Sequence, residues 1–110
     1  MPATTTPPAR HPLLRRLRAE LERLYGPRLD RVLLYGSRAR GEAREDSDWD
    51  VAVILKDYDG SLDEHYRLAD LSHDLLLETG EFLTLVPFAP EELSRRTLLM
   101  HNIRREGIPV

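Results

Sequence analysis

Asp48 and Asp50 flank Trp49 at the mouth of an apolar run, Val51 to Leu55. Two positions apart on an extended strand, their side chains leave the same face. Carboxylates held that close repel one another unless a proton or a cation intervenes. A hard cation such as Mg²⁺ takes oxygen donors, commonly one or two carboxylates plus substrate phosphates. Upstream, the apolar run Val32 to Tyr35 breaks at Gly36-Ser37, followed by Arg38. Glycine lets backbone approach a ligand closely, and amides and a hydroxyl at a helix start can cradle phosphate oxygens. Each element alone also has a plain structural reading: solvated acids beside Glu45 and Asp46, and an ordinary turn. Their joint chemistry would be that of a metal-bound polyphosphate.

The segments around them are those of an α/β protein. Leu13, Leu14, Leu17, Leu21 and Leu24 recur at helical spacing from Pro12 to Tyr25, and Gly26-Pro27 stops that helix. Arg31 to Tyr35 reads as a short strand, and Ser37 to Arg40 as a short helix closed by Gly41. Trp49 to Leu55, apolar on both faces after Asp50, reads as a central strand. Ser61 and Glu64 have the spacing of a capping box, opening a helix to about Glu78. Leu62, Tyr66, Ala69, His73 and Leu76 form one apolar stripe on it, widened by Leu68, Leu71 and Leu75. Phe82 to Phe88 is a third strand, and Pro90 to about Arg104 a last helix. The expected fold is an α/β sandwich with one small mixed sheet of about three strands flanked by helices.

Bulk properties agree and exclude several classes. The 110 residues fit one domain, with 41% hydrophobic and 32% charged side chains and no cysteine. Thiolate metal sites and disulfides are therefore excluded, and a reducing cytoplasm is the expected setting. No apolar run has the length to cross a bilayer as a helix. The net charge of −3 gives no overall attraction to nucleic-acid backbones. Residues 1–11, rich in proline and threonine, are expected to be a disordered tail, with the folded domain over 12–110. His73 is expected at the core or its boundary, Trp49 in core packing, and Arg15, Arg16 and Arg18 on a solvated helix face.

Gly36-Ser37, ten intervening residues and Asp48-Trp49-Asp50 resemble the signature of the DNA polymerase β-like nucleotidyltransferase superfamily. The strings Tyr35 to Gly41, Asp46 to Asp50 and Asn102 to Ile108 are similar to its minimal nucleotidyltransferase branch. The resemblance implies a nucleotidyltransferase fold in which Gly36 and Ser37 hold a nucleoside triphosphate, ATP above all. Asp48 and Asp50 would ligate Mg²⁺ as the catalytic pair, and Arg38 would either add bonds to the phosphates or remain solvated. The implied activity is transfer of a nucleoside monophosphate to a hydroxyl of a protein or other acceptor. It further implies a small helical HEPN-type partner, as in toxin–antitoxin pairs. A homo-oligomer is compatible with so small an open domain.

Active relatives of this kind carry a third carboxylate on a later strand. The corresponding run here is Phe82-Leu83-Thr84-Leu85-Val86-Pro87-Phe88, and Thr84 is expected in that place. A neutral hydroxyl is a poor base and a poor Mg²⁺ ligand. Glu81 could substitute only through a register shift, which a buried strand resists; Glu78 on the preceding helix is weaker still. The alternative reading is therefore a catalytically degenerate module that binds nucleotide or a partner.

Overall fold

The computed structural model describes residues 11–110. Helix α1 spans Pro12–Tyr25 and buries Leu13, Leu14, Leu17, Leu21 and Tyr25 along one stripe. His11, expected in the tail, instead caps it: its Nδ1 accepts the Leu13 N–H at 3.2 Å, satisfying a donor the first turn leaves unpaired. Residues 1–10 of the expected tail lie outside the described residues. A 3₁₀ turn over Gly26–Arg28 leads into strand β1, Leu29–Tyr35, two residues longer at its start than the apolar pattern suggests. One turn of helix follows, α2 over Ser37–Arg40, then a loop and strand β2, Trp49–Leu55.

Helix α3 spans Leu62–Thr79 and ends at Gly80 in the left-handed conformation that glycine adopts without strain. The expected capping box does not form. The Ser61 N–H bonds Asp59 Oδ1, and no Ser61 side-chain cap is made. Glu64 turns inward instead, with Arg28 and Arg67 at 3.5 and 3.6 Å from its Oε1. An inward carboxylate is tolerated only when paired, so these cations decide its orientation.

Strand β3 covers Leu83–Phe88. The single last helix expected from Pro90 onward is divided: a 3₁₀ segment over Pro90–Ser94, a break, then α4 over Leu98–Glu106. The Thr97 hydroxyl oxygen accepts the Met100 N–H at 3.1 Å, so a capping residue restarts the helix where the pattern shows only polar residues. A two-residue strand β4, Ile108–Pro109, makes the sheet four-stranded rather than three-stranded.

The strand order is β3-β2-β1-β4. β1 runs antiparallel to β2 and β4, and β2 runs parallel to β3, giving the expected mixed sheet. Pro87 lacks a donor and is accommodated because β3 is an edge strand. β2 lies between two partners, which explains why Val51 to Leu55 are all buried. Alternation along it serves two cores. Trp49, Val51, Val53 and Leu55 pack under α1 and α3, whereas Ala52 and Ile54 pack with Leu33, Phe88, Met100 and Ile103 under α4.

Candidate functional site

Strand alternation places Asp50 on the α4 side of the sheet and Trp49 on the other. Asp50 is half-buried and Asp48, just before the strand, is exposed. Burial first, and the nearby Asp48 charge second, push the Asp50 carboxyl above its ordinary range, with Arg40 partly offsetting them. An anion pair in that state favours a cation between its members.

The turn after β1 is built around Asp50. Tyr35 is its register partner, so Gly36 follows directly beside it. A Cβ on Gly36 would sit 2.5 Å from Asp50 Oδ2, and Gly36 has φ +77°. Both facts require glycine: one for space, the other for backbone conformation. Its carbonyl accepts from Ala39 and Arg40 at 3.0 and 3.1 Å, starting α2. Because α2 is one turn long, its dipole is small, and any phosphate holding rests on local amides and the Ser37 hydroxyl.

Arg38 is not solvated, and its guanidinium is occupied away from the carboxylate face. The group lies 4.3 Å from the Trp49 ring centre and donates to the Ser47 carbonyl at 2.7 and 3.2 Å and to that of Glu45 at 3.3 Å. Glu81 completes this corner, accepting the Trp49 indole N–H at 3.1 Å and lying 3.8 Å from Arg38. The His11 ring rests 4.7 Å from Trp49. Arg38 thus ties down the loop that delivers Asp48.

Arg40 and Glu106 were not singled out in the sequence. Arg40 bonds Glu106 at 2.9 Å and Glu42 at 2.6 Å, and the Glu106 carboxyl is held below its ordinary range by Arg40 first and by the Gly36 backbone N–H among lesser causes. The end of α4 therefore anchors the Gly36 turn. No local spacing announces a pair 66 residues apart.

In the parallel register Thr84 stands beside Asp50, so the third position carries a hydroxyl. Glu81 lies with Trp49 on the opposite face, and Glu78 pairs with Arg16. Among the described residues no group of three or more histidine and acidic side chains could hold a metal by itself. Asp48 and Asp50 suit a hard cation that draws its other oxygens from phosphates and water, and the cradle opposite is open because Gly36 has no Cβ.

The family profile described as polymerase beta, nucleotidyltransferase matches residues 20–110. Two proteins of Methanocaldococcus jannaschii, each described as a candidate protein adenylyltransferase, are similar. One is 31% identical over 90 residues, 79% of this chain and 83% of that protein. The other is 36% identical over 45 residues, 41% of this chain and 46% of that protein, so the match spans about half its length. A solved structure described as a candidate minimal nucleotidyltransferase superposes with TM-score 0.54 and 32% identity over 93% of this chain and 99% of that one. A toxin–antitoxin crystallised with AMP-PNP does so with TM-score 0.59 and 26% identity over 84% and 68% of the two chains.

Proposed function

This chain belongs to the polymerase β nucleotidyltransferase family, and on that premise we propose that it transfers AMP from ATP to a hydroxyl of a protein acceptor in a Mg²⁺-dependent reaction. The observation that carries the reading is the close approach of the Gly36 turn to Asp50, which brings the Gly36-Ser37 turn against the carboxylate pair. The protein acceptor rests on the similarity to the M. jannaschii proteins, and ATP on the toxin–antitoxin structure with AMP-PNP.

Asp48 and Asp50 would hold Mg²⁺, which would supply neutralisation of charge on the phosphates and on the departing pyrophosphate. Gly36 and Ser37 hold the triphosphate, the glycine by leaving room and the serine by offering a hydroxyl donor. The acceptor oxygen attacks the α-phosphorus, forming one P–O bond as the bond to the β-phosphate breaks. Pyrophosphate leaves, and the hydroxyl proton passes to solvent or to an ionised carboxylate of the pair. Arg38 positions Asp48 through the Ser47 carbonyl. Arg40 and Glu106 keep the turn in register with β2. In a toxin–antitoxin setting the acceptor is a small helical HEPN-type partner, and the chain acts as the antitoxin.

A second reading, a nucleotide- or partner-binding module without transfer, is favoured by one observation: Thr84 beside Asp50. Incubation with Mg²⁺ and α-labelled ATP, together with a small helical protein where one is encoded beside it, separates the two. Label transferred by the parent and not by Asp48→Ala/Asp50→Ala supports the enzyme. Nucleotide bound with no label transferred supports the module.

A further inference from the structure

Helix α3 carries two apolar stripes, and the sheet covers only one. Leu68, Leu71 and Leu75 are buried with Ser72, whose hydroxyl donates to the Leu83 carbonyl. The other stripe, Leu62, Tyr66, Ala69, His73 and Leu76, faces away. Leu62 is 63% exposed and Tyr66 65%, and Ala69 and His73 are exposed as well. This corrects the expectation that His73 sits at the core or its boundary. The stripe's steps of four, three, four and three residues are those of a and d positions in a heptad repeat.

The surroundings extend the stripe and give it a charge. Exposed Leu77 and Phe82, at 74% and 49%, continue the apolar surface at its far end. A groove of about 450 Å³ between α3 and the edge strand runs past Ala69, His73, Leu76 and Phe82. Asp63 and Asp70 occupy the flanking e positions. Of the eight acids in residues 57–81, Glu64, Glu78 and Glu81 pair with arginines away from this face, which leaves Asp57, Asp59, Asp63, Asp70 and Asp74 to give the segment its negative charge. Two such faces meeting in a symmetric pair would repel, so self-association here is disfavoured. Positions e and g set partner choice in helix pairing by opposite charge.

We infer that the outer face of α3 is a docking surface for a helix of another protein, one with a heptad apolar seam flanked by lysine or arginine. The seam supplies a and d knobs, the groove takes the partner's larger apolar side chains, and Asp63 and Asp70 select the basic flanks. The nucleotide chemistry plays no part in this inference, and its test does not depend on transfer.

The test titrates the full chain into a dye-labelled helical peptide of about three heptads, leucine at a and d and lysine at e and g. A glutamate-flanked twin and a scrambled lysine peptide serve as comparisons. Expected is anisotropy-detected binding of the lysine peptide alone, with a Kd of about 10 µM. Leu62→Glu/Tyr66→Glu should weaken it at least ~10-fold with an unchanged melting temperature, since both side chains are exposed. Asp63→Lys/Asp70→Lys should transfer the preference to the glutamate twin. Equal binding of the scrambled peptide, or binding that survives Leu62→Glu/Tyr66→Glu, would overturn the inference. So would a homodimer in light scattering that this double variant dissolves, because the occupant would then be a second copy.

Discussion

The two sides of β2 at its N-terminal end are one residue apart in sequence and opposite in physical character. On one side Trp49 contacts Arg38 and the His11 ring and donates its indole N–H to Glu81. On the other, Asp50 is half-buried beside Asp48 with its carboxyl pushed upward, and Thr84 offers it no charge. The first side is finished by the chain itself, whereas the second, on the proposed function, would take a cation and phosphates. Strand alternation separates a rigid anchor from a reactive pair without a domain boundary. The anchor can then set the geometry of the pair while taking no part in the chemistry.

Four changes break or sharpen this contrast. The largest effect is expected from Thr84→Asp, which completes a three-carboxylate site. Transfer of α-label should rise by about 10²-fold, within the range of a positioned acid or base; no rise would mean that Thr84 does not limit the reaction. Gly36→Ala brings a Cβ against Asp50 Oδ2 at a positive φ. Strain of about 1–3 kcal/mol should appear as a lowered melting temperature, with ATP affinity reduced by about 10-fold or more in calorimetry.

On the anchor side, Arg38→Ala removes a cation–π contact and leaves the Ser47 and Glu45 carbonyls without that donor. A loss of about 2 kcal/mol should come with faster amide exchange across residues 44–48 and a rise in Kd for Mg·ATP. Arg38→Lys keeps the charge but loses the planar fork, so it should rescue only partly. Unchanged exchange in that loop would remove Arg38 from the account.

The smallest effect is thermal and has the opposite sign. Because the folded Asp50 carboxyl titrates above its ordinary range, its protonated form is favoured in the fold. That contribution is present at low pH and is lost as pH rises through the raised value. Asp50→Asn should therefore raise the melting temperature of the metal-free protein at neutral pH by a few degrees, about 2–4 °C. The gain should shrink as pH falls toward the ordinary aspartate range, and affinity for Mg²⁺ should fall in the parent over the same interval. A destabilised Asn variant would contradict the strain assigned to the pair.

Much of this was legible in advance, for identifiable reasons. β2 reads clearly because a strand between two partners is apolar on both faces, and Thr84 falls beside Asp50 as expected because buried register cannot slip. α1 has one apolar stripe, so its buried side was unambiguous. α3 has two, and only packing against β2 and β3 selects Leu68, Leu71 and Leu75 over Leu62, Tyr66 and His73. The Ser47 and Glu45 carbonyls that Arg38 bonds leave no mark in a sequence, so this anchoring role is not legible there. The division before α4 turned on a single cap at Thr97. β4 has two residues, one of them proline, too short to show any period.

The most direct test is calorimetric titration of the full chain with ATP, with and without Mg²⁺, alongside Asp48→Asn/Asp50→Asn. One site is expected that requires Mg²⁺ in the parent and is lost in a double variant that stays folded. Binding of equal strength without Mg²⁺, or retained unchanged in the double variant, would contradict the assignment of the carboxylate pair.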